Sequence, residues 1–259
     1  MNQDNAYLKQ TLNLAYDAIK KKNYEKGKTL LEKVISINSE MPGVYNDLGL
    51  LTLNVGDLDL AIQHFEKAIK IKKDFSLAYN NLGIALKKKR DFKTAIQIYK
   101  KGIEVDNRNA HAHYNLGTLY FEINEIKNAE KHLSLSIEIS PNLKLAYISL
   151  FELYEKSNQL DKLKEILEKA KNIFKENQIV EFFLGIYHFK RKSYYETIKI
   201  LENVNLEKND IKRTAFKNEI LAKSFDNLGS YNKSFKYFEE ANNLIKNSII
   251  KKFDKNEFR

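Results

Sequence analysis

The chain of 259 residues has no cysteine, so neither a disulfide framework nor a thiolate metal site is open to it. Its start, MNQDNAYLKQ, lacks the basic-then-apolar order of a secretory signal, and no apolar run reaches membrane-spanning length. The expectation is a cytoplasmic chain with no membrane span. Glycine is scarce, nine in all, and none builds a glycine-rich phosphate loop. The five histidines are His64, His111, His113, His132 and His188, without the carboxylate spacing of a metal site. His111 and His113 stand two apart and so do not share a helix face. Glu239 and Glu240 are adjacent and read as solvated charge. No catalytic role and no cofactor are expected.

Lysine and asparagine are abundant instead. The formal charge is +10, and there are 28 Asn. A basic chain invites a nucleic-acid reading, but the lysines are spread along the whole sequence rather than gathered in a stripe, which argues against it. The run Lys87, Lys88, Lys89 and Arg90 reads as the end of a helix, where cations oppose the negative end of the dipole.

The chain is organised around Ser76–Asn109, SLAYNNLGIALKKKRDFKTAIQIYKKGIEVDNRN, a unit of 34 residues that recurs at that spacing. Tyr79, Leu82, Gly83, Leu86, Phe92, Ala95, Tyr99 and Gly102 mark two amphipathic helices joined by a turn over 88–91. Asp91 is placed to cap the second helix. Further copies cover 42–75, 110–143, 144–177 and 178–211 in unbroken register. A degenerate copy covers 8–41, and 215–248 follows a three-residue insertion. Glycine in a helix interior is unfavourable by about 1 kcal/mol relative to Ala, yet Gly49, Gly83, Gly117 and Gly185 share one mid-helix slot. The slot implies close helix approach, with Ala61, Ala95 and Ala129 as the facing small residues and Gly27 in the first copy. Gly56 and Gly229 fall at the turns. In 144–177 the slot holds Phe151, and Leu163 replaces the small residue, so those helices are expected to separate or repack. A hinge or seam is expected near the polar run 207–210.

This pattern resembles the tetratricopeptide repeat (TPR) family. The resemblance implies an all-α, right-handed superhelical TPR solenoid of about seven helix-turn-helix repeats over 1–248. The tail, 249–259, carries Ile249, Ile250, Phe253 and Phe258 and reads either as a capping helix folded back or as the start of a further domain. The family is mainly a binding scaffold, so the implied function is non-catalytic: a protein or peptide partner held as an extended segment in the concave groove.

The first helix of each repeat lines that groove in this family. Its most regular polar feature here is a ladder of Asn13, Asp47, Asn81, Asn115 and Ser149, each 34 residues from the last. A carboxamide offers donors and an acceptor that match peptide backbone. Beside the ladder lie Asn46, Asn80 and Tyr114, with Leu50, Ile84 and Thr118 three residues beyond it. The candidate peptide-binding residues are therefore Asn13, Asn46, Asp47, Asn80, Asn81, Ile84, Tyr114, Asn115 and Thr118. The alternative is that the Asn residues bond to neighbouring helices and stabilise the stack. The carboxylate-clamp pattern of chaperone-binding TPR proteins is absent, since its positions hold Leu12 and Tyr16, Asn46 and Leu50, or Asn80 and Ile84. The last repeat, LAKSFDNLGSYNKSFKYFEEANNL, also resembles the final TPR unit of bacterial TPR–sulfotransferase fusions. On that reading the chain is a substrate-recognition arm, because no PRSGT-type phosphosulfate loop occurs in it.

Overall fold

The structure, a computed structural model, describes residues 2–256, with side chains described from 5 to 249. Among these residues there are fourteen helices and no strand. The chain divides into two compact units, Met1–Pro141 and Asn142–Arg259. The first holds four helix hairpins: α1 (Asn2–Lys20) with α2 (Tyr24–Ile37), α3 (Pro42–Val55) with α4 (Leu58–Ile71), α5 (Ser76–Lys88) with α6 (Phe92–Val105), and α7 (Ala110–Glu122) with α8 (Ile126–Ile139). The second holds three: α9 (Lys144–Lys156) with α10 (Leu160–Ile173), α11 (Gln178–Lys190) with α12 (Tyr194–Leu201), and α13 (Ile211–Asn227) with α14 (Tyr231–Asn256). The polar run 207–210 lies inside the second unit, in the loop between α12 and α13.

Turn chemistry fixes the hairpins. Asn23, Asp57, Asp91 and Asp210 each cap the helix that follows by accepting from a backbone N–H three residues on. One turn residue in every hairpin is left-handed: Lys22, Gly56, Arg90, Asn124, Asn158, Lys192 and Gly229. Gly56 and Gly229 take this conformation without a Cβ penalty, at φ 89° and 73°. The other five are held there by the helices on either side.

The mid-helix glycines do mark close approach, but not to the expected partners. A Cβ on Gly49 would lie 2.5 Å from Cε1 of Phe65, and one on Gly117 would lie 2.8 Å from Cγ of Leu133. At Gly83 and Gly185 the obstacles are Tyr99 and Leu201. The facing side chain is thus a large one, one helical turn beyond Ala61, Ala95 or Ala129. Helical side chains lean toward the N-terminus and cover the turn before their own Cα. In the first hairpin the roles reverse, and Gly27 of α2 abuts Ile19 of α1.

The hairpin α9–α10 repacks. Phe151 and Leu163 are both buried. The Phe151 ring sits 5.2 Å from that of Phe183 on α11, and the α9 and α10 backbones approach each other less closely than those of the regular hairpins. Residues 249–256 of the tail continue α14, which runs unbroken to Asn256. The side chains of Ile250 and Phe253, and all of Phe258, lie outside the described residues. No described helix is long and apolar enough to cross a membrane.

Candidate functional site

Within each unit, certain first helices lie side by side. In the first unit α3 packs on α5, and α5 on α7; in the second α9 packs on α11, and α11 on α13. The helices α3, α5 and α7 carry all the sequence-predicted binding residues except Asn13, which is on α1.

Three polar bridges join these helices. Asn81 Nδ2 donates to Asn46 Oδ1 at 2.8 Å, and Asn115 Nδ2 donates to Asn80 Oδ1 at 2.9 Å. The Tyr16 hydroxyl donates to Asp47 Oδ2 at 2.7 Å. Asn46 and Asn81 are 2 % and 6 % exposed, so their bond forms inside the layer, where an unmade hydrogen bond is most unfavourable. The two carboxamide columns therefore bond to each other at an offset of 35 residues, rather than forming one column at 34. Burial pushes the Asp47 carboxyl above the usual range, against the opposing pull of hydrogen bonds from Tyr16 and Asn46. Burial, reinforced by the Asp47 carboxylate, pushes Tyr16 up.

The structure does not place the candidates alike. Asn46, Asn80 and Asn81 are buried, while Asp47, Ile84, Tyr114, Asn115 and Thr118 are half-buried. Asn13 is exposed on α1 and takes no part in the bridges. Leu50, also on this layer, is exposed. Beside Thr118, Lys87 reaches across from α5 to its hydroxyl at 3.5 Å and to Glu122 at 3.2 Å. Lys87 thus ties two helices together as well as ending one.

Sequence reasoning missed two features. One is a histidine pair in the α7–α8 hairpin. The rings of His113 and His132 stack at 5.2 Å with Nδ1 atoms 3.0 Å apart, and His113 Nε2 lies 3.3 Å from the Asn107 carbonyl. The carbonyl can only accept, so His113 carries its proton on Nε2, and His132 donates from Nδ1 to His113 Nδ1. Burial lowers both pKa values, His132 to about 4. The other is a polar groove of roughly 510 Å³ at the N-terminal ends of α9, α11 and α13, lined by Lys144, Ile148, Gln178, Asn205, Asp210 and Arg213. Arg213 there holds Glu152 at 3.0 Å and Asp210 at 2.8 Å. Neither feature has a repeat-wide period that a sequence scan could pick out. Among the described residues no cluster of three or more His, Asp or Glu could hold a metal ion.

Comparison with known proteins gives the fold a name. Residues 55–90 and 88–124 match the TPR repeat family, and 110–143 match the tetratricopeptide repeat family. No curated protein matches the chain. A tetratricopeptide repeat protein from Parabacteroides merdae is similar in structure, with a TM-score of 0.67 and 14% identity over 92% of this chain and 93% of that one. PilF of Pseudomonas aeruginosa is similar at a TM-score of 0.65 and 18% identity, over 83% and 97%. YrrB, described as a TPR protein with an unusual peptide-binding site, is similar at 0.55 and 17%, over 80% and 96%. Identities this low speak for the fold alone. The likeness of the last repeat to sulfotransferase fusions gains no support from them. Tetratricopeptide repeats therefore account for residues 55–143 by sequence, and the all-α hairpins of this chain have the fold of a TPR solenoid.

Proposed function

We propose that the chain is a non-catalytic scaffold that binds an extended segment of a partner protein along the α3–α5–α7 layer. The observation that carries this reading is the pair of carboxamide bridges, Asn46–Asn81 and Asn80–Asn115. Each bridge uses one N–H and one oxygen lone pair, and a carboxamide has two of each. The bridges fix the spacing of three helices, and what a peptide backbone would use is the spare capacity of the half-buried Asn115, since Asn46, Asn80 and Asn81 are closed inside the layer. Leu50, Ile84, Tyr114 and Thr118 stand beside the bridges as shallow side-chain pockets, and Asp47 and Asn13 extend the polar edge toward α1. An extended peptide read by backbone contacts and alternate pockets suits such a surface. The peptide-binding site of YrrB, on the same fold, supports the class of ligand but not the residues.

The test is selection of linear peptides against the full chain from a displayed random library, followed by titration calorimetry. Ile84→Glu should weaken a selected peptide by roughly 10-fold or more while the helix content stays unchanged. Failure to enrich any linear peptide, or equal affinity for the Ile84→Glu chain, would refute the reading.

A further inference from the structure

Asp47 is the one acid in its column, and the repeats on either side hold Asn13 and Asn81 there. A carboxylate differs from a carboxamide in two ways: it carries a charge, and it can only accept. The chain has cations to spare, 44 Lys and Arg against 34 acids. Further along the same face Glu122 is met by Lys87 at 3.2 Å. Among the described residues no cation meets Asp47. Its hydrogen bonds come from the Tyr16 hydroxyl and the Asn46 amide, both neutral. A half-buried charge without a counter-ion is unfavourable, so its retention points to a cation from outside the chain.

The surroundings suit such a cation. Among the described residues the α1 and α3 backbones stay apart, and Tyr16 spans the distance to Asp47. The Tyr16 hydroxyl takes one carboxylate oxygen at 2.7 Å, and the two oxygens together accept about four hydrogen bonds. Tyr16 is 44 % exposed, and Leu50, one turn along α3, is 37 % exposed. An aromatic ring beside a carboxylate adds the attraction of its face to a charge-assisted hydrogen bond. An aliphatic neighbour covers the stem of a long basic side chain.

We infer that the segment bound along the α3–α5–α7 layer carries a lysine or arginine whose cationic group pairs with Asp47, its stem lying against Tyr16 and Leu50. This rests on the binding reading above and adds the charge of the ligand to it. Packed helices lie about 8–10 Å apart, and an extended chain advances about 3.3 Å per residue. An apolar residue about three places from the cation therefore reaches Ile84 on α5. An acidic residue at the first place would meet Asp47 as a like charge.

The free chain tests the site without any peptide. A carboxyl whose folded pKa is raised, as burial raises that of Asp47, contributes stability while protonated and loses it as pH rises through the folded value. At pH 7 the ionised group therefore detracts from stability. Asp47→Asn removes the charge and keeps an oxygen to accept from Tyr16. It should raise the melting midpoint of the full chain by roughly 1 °C or more. A midpoint at or below that of the parent would assign Asp47 to holding α1 on α3, and overturns the inference.

The ligand is tested with linear peptides selected on the full chain from a displayed random library. They should share a Lys or Arg at one position. Replacing it by Met, which keeps the stem and drops the charge, should weaken the peptide roughly 10-fold or more by titration calorimetry. Asp47→Asn should have the same effect, and the two changes together should lose little more than either alone. Peptides that respond to Ile84→Glu but need no cation overturn this inference and leave the binding reading standing. A library that yields no peptide overturns both.

Discussion

Tyr99 and Gly83 share one space. The Tyr99 ring is fully buried, and its Cδ1 lies 2.6 Å from where a Cβ on Gly83 would stand. Any side chain at 83 must displace the ring, and a core packed to crystal density has nowhere to send it. Gly83→Leu should therefore cost about 3 kcal/mol or more. Gly229→Ala meets open space, so its cost is only the left-handed backbone at φ 73°, about 1 kcal/mol. Urea melts of the two variants check the order. Equal losses would reject the packing described.

The same ring carries an unmet polar group. The Tyr99 hydroxyl is buried and has no hydrogen-bond partner among the described residues, and Phe65 fills the equivalent position one repeat earlier. Burial accordingly pushes the phenol pKa up. Tyr99→Phe removes the orphan and keeps the shape, so it should stabilise the fold by about 1 kcal/mol. A thermal melt showing a lower midpoint would contradict this.

The carboxamide bridges should be measurable as coupling. A double-mutant cycle over Asn46→Ala and Asn81→Ala should give an interaction energy of about 1 kcal/mol. Asn13→Ala, outside the bridges, should leave stability within about 0.5 kcal/mol of the parent. Additive losses at 46 and 81 would mean that the bond contributes nothing.

Acid should loosen the α7–α8 hairpin. Both His113 and His132 have folded pKa values below the unfolded value of about 6.5, His132 at about 4, so the unfolded chain binds more protons as pH falls below 6.5. Stability from this pair is present above pH 6.5 and is lost as pH falls through the folded values. Two protonated rings would also set N–H against N–H across the 3.0 Å gap. The charges around the pair, Lys131 and Lys100, have the same sign and deepen the effect. Melting temperatures across pH 7 to 4.5 should fall less steeply for His132→Phe than for the parent chain.

Residues 202–210 should be the weak point of the second unit. α12 has only eight residues, and the loop after it is held by Lys217 Nζ donating to the Val204 carbonyl at 2.9 Å and by Asn205 N–H donating to Gln178. Amides of 194–210 should exchange at lower free energy than those of α5 and α6, where Gly83 and Tyr99 lock the pair. Stronger protection in 194–210 would overturn this.

The period of the repeat made the helix pairs readable before any coordinates. Gly83, Asp91 and Gly56 each announce a local requirement that few other residues meet. Bonding partners were less legible, because they depend on how neighbouring helices are offset. Asn81 stands on the first helix of its repeat, but its bonding partner is Asn46, one residue off the 34-residue column. The glycine slot was found and its occupant misassigned, since Ala95 lies one turn away from Tyr99 and both are apolar. His113 and His132 stand 19 residues apart on two helices, a separation with no sequence signature.

The offset of the carboxamide bridges has an evolutionary consequence. Repeat 76–109 offers a donor to the repeat before it, through Asn81, and an acceptor to the repeat after it, through Asn80. A tandem duplication of this unit would place a new Asn81 against the old Asn80. The array could lengthen or shorten by whole repeats in one genetic step, and no carboxamide would be stranded at the join.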